Sequence, residues 1–231
     1  VENIDIRLSH KVEVIDYQSD QVFVKTKKNG NFNFDKVLVT VSLGVLKSNK
    51  IKFTPTLPVE KLSAIKNIGF ARCEKFFYFY EEQFYDRTDK IGVFNSGDNN
   101  ELDCVASTFF YNFSKIVSKP VLLEFVFDRV YDQVKNMTDE ELIERNFKML
   151  QSVYGDKAQK AKKIVKSNWV ANENFCGSYS APTMSIEKDD RANLKKNIDN
   201  KVYFAGEATE FTSFIDDAAQ SAIKACKEML V

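Results

Sequence analysis

The sequence predicts a mixed α/β (α+β) fold in which one domain is inserted into another. Runs rich in β-branched and aromatic residues fill the first 46 residues and recur from Arg72 to Phe127. Segments with the apolar spacing of helices separate these runs, and the chain closes with a strand, a loop and a helix at 201–230. This order indicates a discontinuous domain formed by residues 1–46 and 166–231, with a second domain at 47–165.

The first 46 residues are predicted to form a run of strands. β-branched and aromatic residues are concentrated at 4–8 (IDIRL), 11–17 (KVEVIDY), 21–27 (QVFVKTK) and 31–41 (NFNFDKVLVTV). Ser19-Asp20 and Asn29-Gly30 provide turn signals between them. The run KVLVTV at 36–41 has the apolar character of a buried strand in a parallel arrangement.

A helix and a sheet follow. Pro58 suits the first turn of a helix, Gly69 suits its end, and four apolar residues share one side: Val59, Leu62, Ala64 and Ile65. The density of aromatic and β-branched residues from Arg72 to Phe127 then predicts a multi-stranded antiparallel sheet.

The next helix has a well-defined start. Thr138 and Glu141 form a capping box, in which each side chain satisfies the other residue's backbone amide. Gly155 is placed to end the helix, and its apolar side consists of Leu142, Phe147, Leu150 and Tyr154.

The last part of the chain repeats the alternation of strand and helix. A basic linker at 156–168, whose lysines we interpret as a solvated surface, leads into a strand at 164–169, and a loop follows at 173–185. The strand KVYFA at 201–205 ends in Gly206-Glu207. A helix with an apolar repeat of three and four residues begins near Asp216.

Composition indicates that any partner is recognised at a specific site. Lysine plus arginine equals aspartate plus glutamate, at 33 each, so no net charge favours nucleic acid or an anionic membrane. No run approaches the ~20 apolar residues needed to span a bilayer, and the amino terminus lacks the layout of a signal peptide. We therefore expect a soluble, cytoplasmic protein without a nucleic-acid or membrane partner.

The cysteines predict neither disulfides nor a metal site. Cys73, Cys104, Cys176 and Cys226 are far apart, form no CxxC pair and are accompanied by a single histidine. We interpret them as reduced thiols of an intracellular protein and expect no bound metal.

The final strand, loop and helix form a unit that is suited to binding a cofactor. A strand that ends in glycine before a helix start places backbone amides and the positive end of a helix dipole in a crevice at the edge of a sheet. Such crevices hold cofactors. The alternative is that this unit is simply the commonest one in α/β proteins.

Three stretches together resemble the FAD-dependent amine oxidase family, in its branch of polyamine oxidases and lysine-specific histone demethylases. They are VLVTVSLGVLKSNKIKFTPTLPVEKLSAIKNIGFARCEKFFYFY (37–80), NWVANENFCGSYS (168–180) and VYFAGEAT (202–209). The resemblance covers nearly the whole chain. It implies the carboxyl-terminal part of a two-domain fold, in which a substrate-binding domain of mixed or antiparallel sheet and helices (47–165) is inserted into an FAD-binding domain (1–46 and 166–231).

The resemblance implies three catalytic positions. Lys75 corresponds to the family lysine that holds a water against the flavin. The alternative interpretation is an ordinary strand lysine whose side chain points into water. Trp169 and Tyr179 correspond to aromatic residues that line the flavin and substrate cavity. The alternative interpretation is that both are packed in the hydrophobic core. Aromatic walls orient an amine by its apolar stem.

The resemblance also implies five cofactor-binding positions. Val12 lies where the family presents a strand backbone to the adenine half of FAD. Gly206 and Glu207 lie at the ribityl and pyrophosphate region, with an N-cap or loop salt bridge as the alternative for Glu207. Phe214 aligns with the family's aromatic-or-threonine wall position before the last helix, and Ile215 aligns with the valine that follows it.

Two departures from the family bear on the cofactor. No Gly-x-Gly occurs in the chain, and the chain starts like the interior of a protein. We therefore expect it to be a fragment that needs the upstream half of the same polypeptide for most of its FAD site. Asp216-Asp217 also align where the family has His-Gly. We expect aspartate there to cap the helix, and its carboxylate to oppose the charge of the reduced flavin.

The activity implied is oxidation of a small-molecule amine to an imine by hydride transfer to FAD, with oxygen reoxidising the flavin to give hydrogen peroxide. We expect a polyamine as the substrate, and a role in polyamine catabolism. The alternative is a catalytically inactive or truncated relative that acts as a binding or structural module.

Overall fold

The computed structural model describes residues 4–95 and 107–231. In chain order its strands are β1 (Val12–Asp16), β2 (Val22–Thr26), β3 (Asn31–Phe34), β4 (Val37–Val39), β5 (Lys52–Thr54), β6 (Gly69–Ala71), β7 (Cys73–Phe79), β8 (Lys90–Val93), β9 (Thr108–Asn112), β10 (Val121–Phe127), β11 (Lys163–Lys166), β12 (Tyr179–Ala181) and β13 (Val202–Phe204). Its helices are α1 (Leu43–Lys47), α2 (Val59–Asn67), α3 (Ser114–Val117), α4 (Asp128–Val134), α5 (Asp139–Tyr154), α6 (Asp190–Lys195) and α7 (Ile215–Met229). Two 3₁₀ turns lie at Gly155–Lys157 and Glu207–Thr209. The architecture is mixed α/β, as predicted.

The chain divides into two units. The first comprises Val1–Ala71 and Ala171–Val231, and the second comprises Arg72–Val170. Sequence analysis placed these boundaries after residue 46 and before residue 166. Residues 47–71 lie in the first unit because α2 packs against α6 and β6 pairs with β12. The assignment of one unit to FAD and the other to substrate stays a prediction.

Small sheets organise the described part of the first unit. Four strands form one sheet in the order β3-β2-β1-β5, with β1 and β5 parallel and the other pairs antiparallel. β6 pairs with β12 in antiparallel fashion. β4 lies parallel to β13, with Val39 opposite Phe204, which confirms the parallel strand predicted from KVLVTV.

The strand predicted at 4–8 is wrong. These residues have no regular structure, and Ile4, Ile6 and Leu8 are all exposed. An alternating apolar pattern forms a strand only where one face has a surface to pack against. Within the described chain these three side chains have none.

Helix α2 follows Pro58 as predicted, but its buried side differs from the prediction. Lys61 is only 2% exposed, whereas Val59 is 70% and Leu62 is 40% exposed. The helix therefore packs on the side that carries Lys61, Ala64 and Ile65.

Lys61 is buried because it caps another helix. Its Nζ donates to three backbone carbonyls at the end of α6 (Asn193, Leu194 and Lys196) at 2.9, 2.6 and 2.7 Å, and lies 4.0 Å from the centroid of the Phe204 ring. The last carbonyls of a helix lack partners within it, and a lysine can supply them. Burial, reinforced by the nearby Lys196, lowers the pKa of Lys61 to about 7.

The second unit is built on a five-stranded sheet. Its order is β11-β7-β10-β9-β8, and every neighbouring pair is antiparallel. This confirms the predicted antiparallel sheet and adds β11 to it. One face of the sheet, including Tyr78, Phe110 and Leu122, packs with Leu142 and Leu150 of α5 in the core of the unit.

The predicted capping box of α5 is confirmed. The Glu141 amide donates to the Thr138 hydroxyl at 3.2 Å, and the Thr138 amide donates to the Glu141 carboxylate at 2.8 Å. The helix ends at Tyr154, with Gly155 in the left-handed region at a φ of 57°. The box satisfies two amides that the helix itself cannot satisfy.

The described chain contains no helix that is both long enough and apolar enough to cross a bilayer. Cys176 and Cys226 are free thiols, Cys73 is buried, and Cys104 lies outside the described residues.

Candidate functional site

A cavity of about 280 Å³ lies where the parallel strands β4 and β13 end. It is lined by residues from both strand ends, from the turn after β13 and from α7, among them Val41, Ser42, Gly206, Glu207 and Ala218. This is the edge of the sheet at which the sequence predicts a cofactor crevice. Ligand pockets measure roughly 300–1,000 Å³, so this cavity has room for part of a dinucleotide.

Gly206 forms the corner between β13 and the turn. Its φ is 132°, a conformation that favours glycine over other residues. A Cβ built at this position would meet no heavy atom within 4 Å, so the space in front of its Cα is open. Its amide donates to Ser221 Oγ at 2.9 Å, and Ser221 is fully buried in α7. The fixed corner and open space fit a group that approaches the backbone closely, as the predicted flavin would.

Glu207 and Tyr179 are brought together through Ser180. The Ser180 amide lies 3.1 Å from both carboxylate oxygens of Glu207, and its hydroxyl donates to Oε2 at 2.7 Å. Tyr179 precedes Ser180 in β12, and its side chain is partly exposed. Glu207 therefore holds the strand that carries Tyr179 through hydrogen bonds within the protein. A contact of Glu207 with the cofactor stays a prediction.

Arg191 belongs to this cluster and is a residue that sequence reasoning missed. Its Nη1 donates to Ser180 Oγ at 3.2 Å and to the Ala208 carbonyl at 2.9 Å. Burial lowers the pKa of Arg191, and the Glu207 carboxylate opposes this effect. The side chain ties α6 to the 3₁₀ turn at the cavity. No motif marks Arg191, and no helix was predicted around it, although Asp189 and Asp190 are residue types typical of a helix start.

Phe214 and Ile215 lie at the start of α7, with both side chains exposed. Phe214 occupies the N-cap position and provides no side-chain cap, so the expected cap by aspartate is wrong. Asp217 lies in the first turn, and its carboxylate accepts hydrogen bonds from the Thr212 amide, at 3.2 Å, and from the Thr212 hydroxyl. The carboxylate predicted to oppose the flavin is thus engaged by its own loop.

Val12 lies at the first position of β1 and is half-buried. It pairs with Thr26 of β2 across a bulge, whereas the ladder to β5 begins only at Val14. The backbone of Val12 therefore extends beyond the ladder on the β5 side. Its predicted contact with the adenine half of FAD stays a prediction.

Lys75 lies in the second unit, on the face of the sheet opposite to α5. Its side chain is exposed, and its Nζ lies 5.3 Å from the centroid of the Phe125 ring, directly across the β7–β10 ladder. Two other lysines have the same relation to aromatic rings: Lys90 Nζ lies 3.8 Å from Phe109, and Lys163 Nζ lies 4.6 Å from Phe79. This face is therefore aromatic and positively charged.

Trp169 follows β11 in a short loop and is 41% exposed. The preceding segment is fixed to Lys75, because the Lys75 amide donates to Ser167 Oγ at 2.8 Å and the Ser167 amide donates to the Lys75 carbonyl at 3.0 Å. Lys75 and the Trp169 loop are thus neighbours within the second unit. A second missed residue, Glu74, accepts hydrogen bonds from the Ser167 hydroxyl and, at 2.8 Å, from the Val170 amide.

The predicted residues therefore fall into two groups. The first unit carries Val12, Tyr179, Gly206, Glu207, Phe214 and Ile215, and the second carries Lys75 and Trp169. Within residues 4–95 and 107–231, no group of three or more His, Cys, Asp or Glu side chains could hold a metal ion.

Comparison with known proteins gives the chain a family context. The family model described as flavin containing amine oxidoreductase matches residues 2–230. Polyamine oxidase 4 of Oryza sativa subsp. japonica is 30% identical over 229 residues, which cover 98% of this chain and 45% of that protein. The lysine-specific histone demethylase 1B homolog of Caenorhabditis elegans is 31% identical over 220 residues, or 89% of this chain and 27% of that protein.

A solved structure shares the fold. Cyclohexylamine oxidase from Brevibacterium oxydans IH-35A superimposes with a TM-score of 0.70 and 17% sequence identity, covering 96% of this chain and 48% of that one. The chain thus spans about half the length of the polyamine oxidases 3 and 4 of Oryza sativa subsp. japonica and of this structure.

Proposed function

The chain belongs to the flavin containing amine oxidoreductase family, whose cofactor is FAD, and from this premise we propose that it takes part in the oxidation of an amine to an imine. The observation that supports the proposal most directly is the cavity at the ends of β4 and β13, where Gly206 leaves open space beside its backbone. Bound FAD would supply the redox chemistry, as the acceptor of the hydride that leaves the carbon beside the amine nitrogen while the nitrogen loses a proton. Oxygen would then take up the two electrons and two protons to give hydrogen peroxide.

The first unit is proposed to hold the cofactor. Gly206 allows the flavin to approach the backbone, and Phe214 and Ile215 supply exposed apolar surface at the start of α7. Val12 contributes backbone groups at the end of β1. The carboxylate of Glu207 already accepts hydrogen bonds from Ser180, so its contribution to the cofactor is to keep the turn and β12 in place.

The second unit and Tyr179 are proposed to act on the substrate. Lys75 presents an exposed positive charge on the aromatic face of the sheet, where it can hold a water molecule by hydrogen bonding. Trp169 and Tyr179 are partly exposed aromatic side chains, and such rings bind the apolar stem of an amine. A neutral amine is favoured beside the lysines, because a protonated amine would be repelled by them.

We propose a polyamine as the substrate, and polyamine catabolism as the setting, because rice and Arabidopsis thaliana relatives at 30–31% identity are named polyamine oxidases. One observation favours a second candidate. The described part of the sheet face around Lys75 carries lysines, whereas recognition of a polycation needs carboxylates. An amine with a single nitrogen and an apolar stem suits this face as well.

The experiment measures flavin and peroxide in the full protein that contains this chain. Visible absorbance reports bound FAD, and peroxide release is followed with spermine, N-acetylated spermine, a single-nitrogen aliphatic amine and a methylated lysine peptide. Peroxide from the first two amines supports the polyamine proposal, and peroxide from the third alone supports the second candidate. A folded protein without flavin, or with flavin but without turnover of any of these amines, would overturn the proposed oxidation and favour an inactive binding module.

A further inference from the structure

Glu74 is a buried carboxylate beside a predicted site residue. It precedes Lys75 in β7 and is only 3% exposed. A carboxylate removed from water requires hydrogen-bond donors or a positive partner to remain favourable. Each oxygen of Glu74 accepts one hydrogen bond from the same loop: Oε2 from the Ser167 hydroxyl and Oε1 from the Val170 amide, at 2.8 Å.

These two donors flank Trp169. Ser167 is also bonded through its hydroxyl and its amide to the backbone of Lys75. Residues 167–170 thus form a short arch that is fixed at both ends, with Trp169 between the fixed points. Since the indole is 41% exposed, the arch presents the ring instead of burying it.

We propose that Glu74 is a positioning residue, which fixes the Trp169 ring relative to the Lys75 segment of β7. The effect of Glu74 on catalysis rests on the proposed amine oxidation, in which Trp169 forms one wall of the substrate site. An aromatic wall orients a substrate only if the ring itself is held, and small displacements in an active site reduce rates strongly. Glu74 would act through the residues on either side of Trp169, because its hydrogen bonds go to the Ser167 hydroxyl and the Val170 amide.

The test uses the fact that Trp169 is the only tryptophan among the 231 residues. In the full protein, the part of the fluorescence that disappears in the Trp169→Phe variant belongs to this ring, and the quenching of that part by acrylamide reports on the arch. Glu74→Leu keeps a similar volume and removes both acceptors. Glu74→Gln keeps an acceptor for Val170 and offers an NH₂ group to the Ser167 hydroxyl, so it is the conservative variant.

We expect Glu74→Leu to raise the acrylamide quenching constant about twofold and to shift the emission to longer wavelength, because local opening exposes the remaining surface of a ring that is now 41% exposed. Glu74→Gln should stay close to wild type. The matched control is Glu141→Ala, which removes a carboxylate that also accepts from the backbone in the same unit, at the start of α5. The control should leave the quenching constant unchanged.

A second variant covers the case in which Glu74→Leu fails to fold, as judged by far-UV circular dichroism. Ser167→Ala removes one donor from a half-buried loop position and should raise the quenching constant by less than twofold. Wild-type quenching in every folded variant of Glu74 and Ser167, or an equal rise in Glu141→Ala, would overturn the proposal. Quenching requires no turnover, so the two proposals can fail separately. The absence of amine oxidation would contradict the proposed function, whereas the quenching constants alone decide whether Glu74 positions Trp169.

Discussion

The buried ion pair of the second unit allows a prediction with a defined magnitude. Arg145 of α5 donates to both oxygens of Glu124 in β10, at 2.9 Å each. The Glu124 side chain is fully buried and that of Arg145 nearly so. The Tyr78 hydroxyl donates a third hydrogen bond to Glu124, at 3.1 Å. This cluster joins α5 to the sheet that carries Lys75.

Arg145→Met removes the positive partner and leaves the Glu124 carboxylate buried with one donor. Breaking a buried pair from one side costs about 3–5 kcal/mol, because the remaining charge is uncompensated. Replacing both partners by apolar residues removes the charge as well. We therefore expect Glu124→Leu/Arg145→Met to lie within about 1–2 kcal/mol of wild type, the loss of the Tyr78 hydrogen bond included.

Urea unfolding of the full protein, followed by the part of the fluorescence that a Trp169→Phe background lacks, measures these free energies in the unit that contains the pair. The control is Lys148→Ala on the same helix, which removes an exposed pair with Glu144 and should cost less than about 0.5 kcal/mol. A loss below about 1 kcal/mol for Arg145→Met, or a double variant as unstable as the single one, would refute the reasoning.

Three further predictions concern individual side chains. Burial lowers the pKa of Lys61 from 10.5 to about 7. Between these two pH values only the unfolded state still holds the proton, so the free energy of unfolding of the wild type should increase as the pH rises from about 7 to 10.5. Urea titrations of Lys61→Met should not show this increase. Asp217→Gly should leave flavin absorbance per protein unchanged, because the carboxylate is engaged by Thr212; a higher occupancy would show that it opposes the flavin. The hydrogen bond from Arg72 lowers the pKa of Asp132 from 3.8 to about 2. As the pH falls from about 4 to about 2, the wild type should therefore lose a part of its free energy of unfolding that Asp132→Asn does not lose. Identical acid-unfolding curves for the two proteins would contradict this.

Local signals predicted those elements in which a few residues determine the conformation. The capping box of Thr138 and Glu141 and the glycine after Tyr154 located α5, because caps act on neighbouring amides and need no tertiary partner. The apolar run at 36–41 predicted a strand in a parallel arrangement, and β4 is indeed parallel, although β13 was not predicted as its partner.

Tertiary contacts determined what the sequence could not predict. The pattern placed Val59 and Leu62 inside. Lys61 is buried instead, because it donates to the carbonyls at the end of α6, a helix that was not predicted. Residues 4–8 have a strand pattern without a partner. Both cases depend on where a distant segment lies, which periodicity alone does not contain.

Two glutamates, Glu207 in the first unit and Glu74 in the second, illustrate the same limit for function. Glu207 was predicted to contact the cofactor, and Glu74 was not singled out, yet the fold uses them alike. Each carboxylate accepts hydrogen bonds from a backbone amide and a serine hydroxyl of a segment that carries a predicted aromatic residue, Tyr179 or Trp169. Hydrogen bonds that fix the segment carrying a partly exposed ring limit how far the ring can move. The sequence motifs pointed to the two rings and to Glu207, whereas Glu74 and the hydrogen bonds of both carboxylates are visible only in the fold.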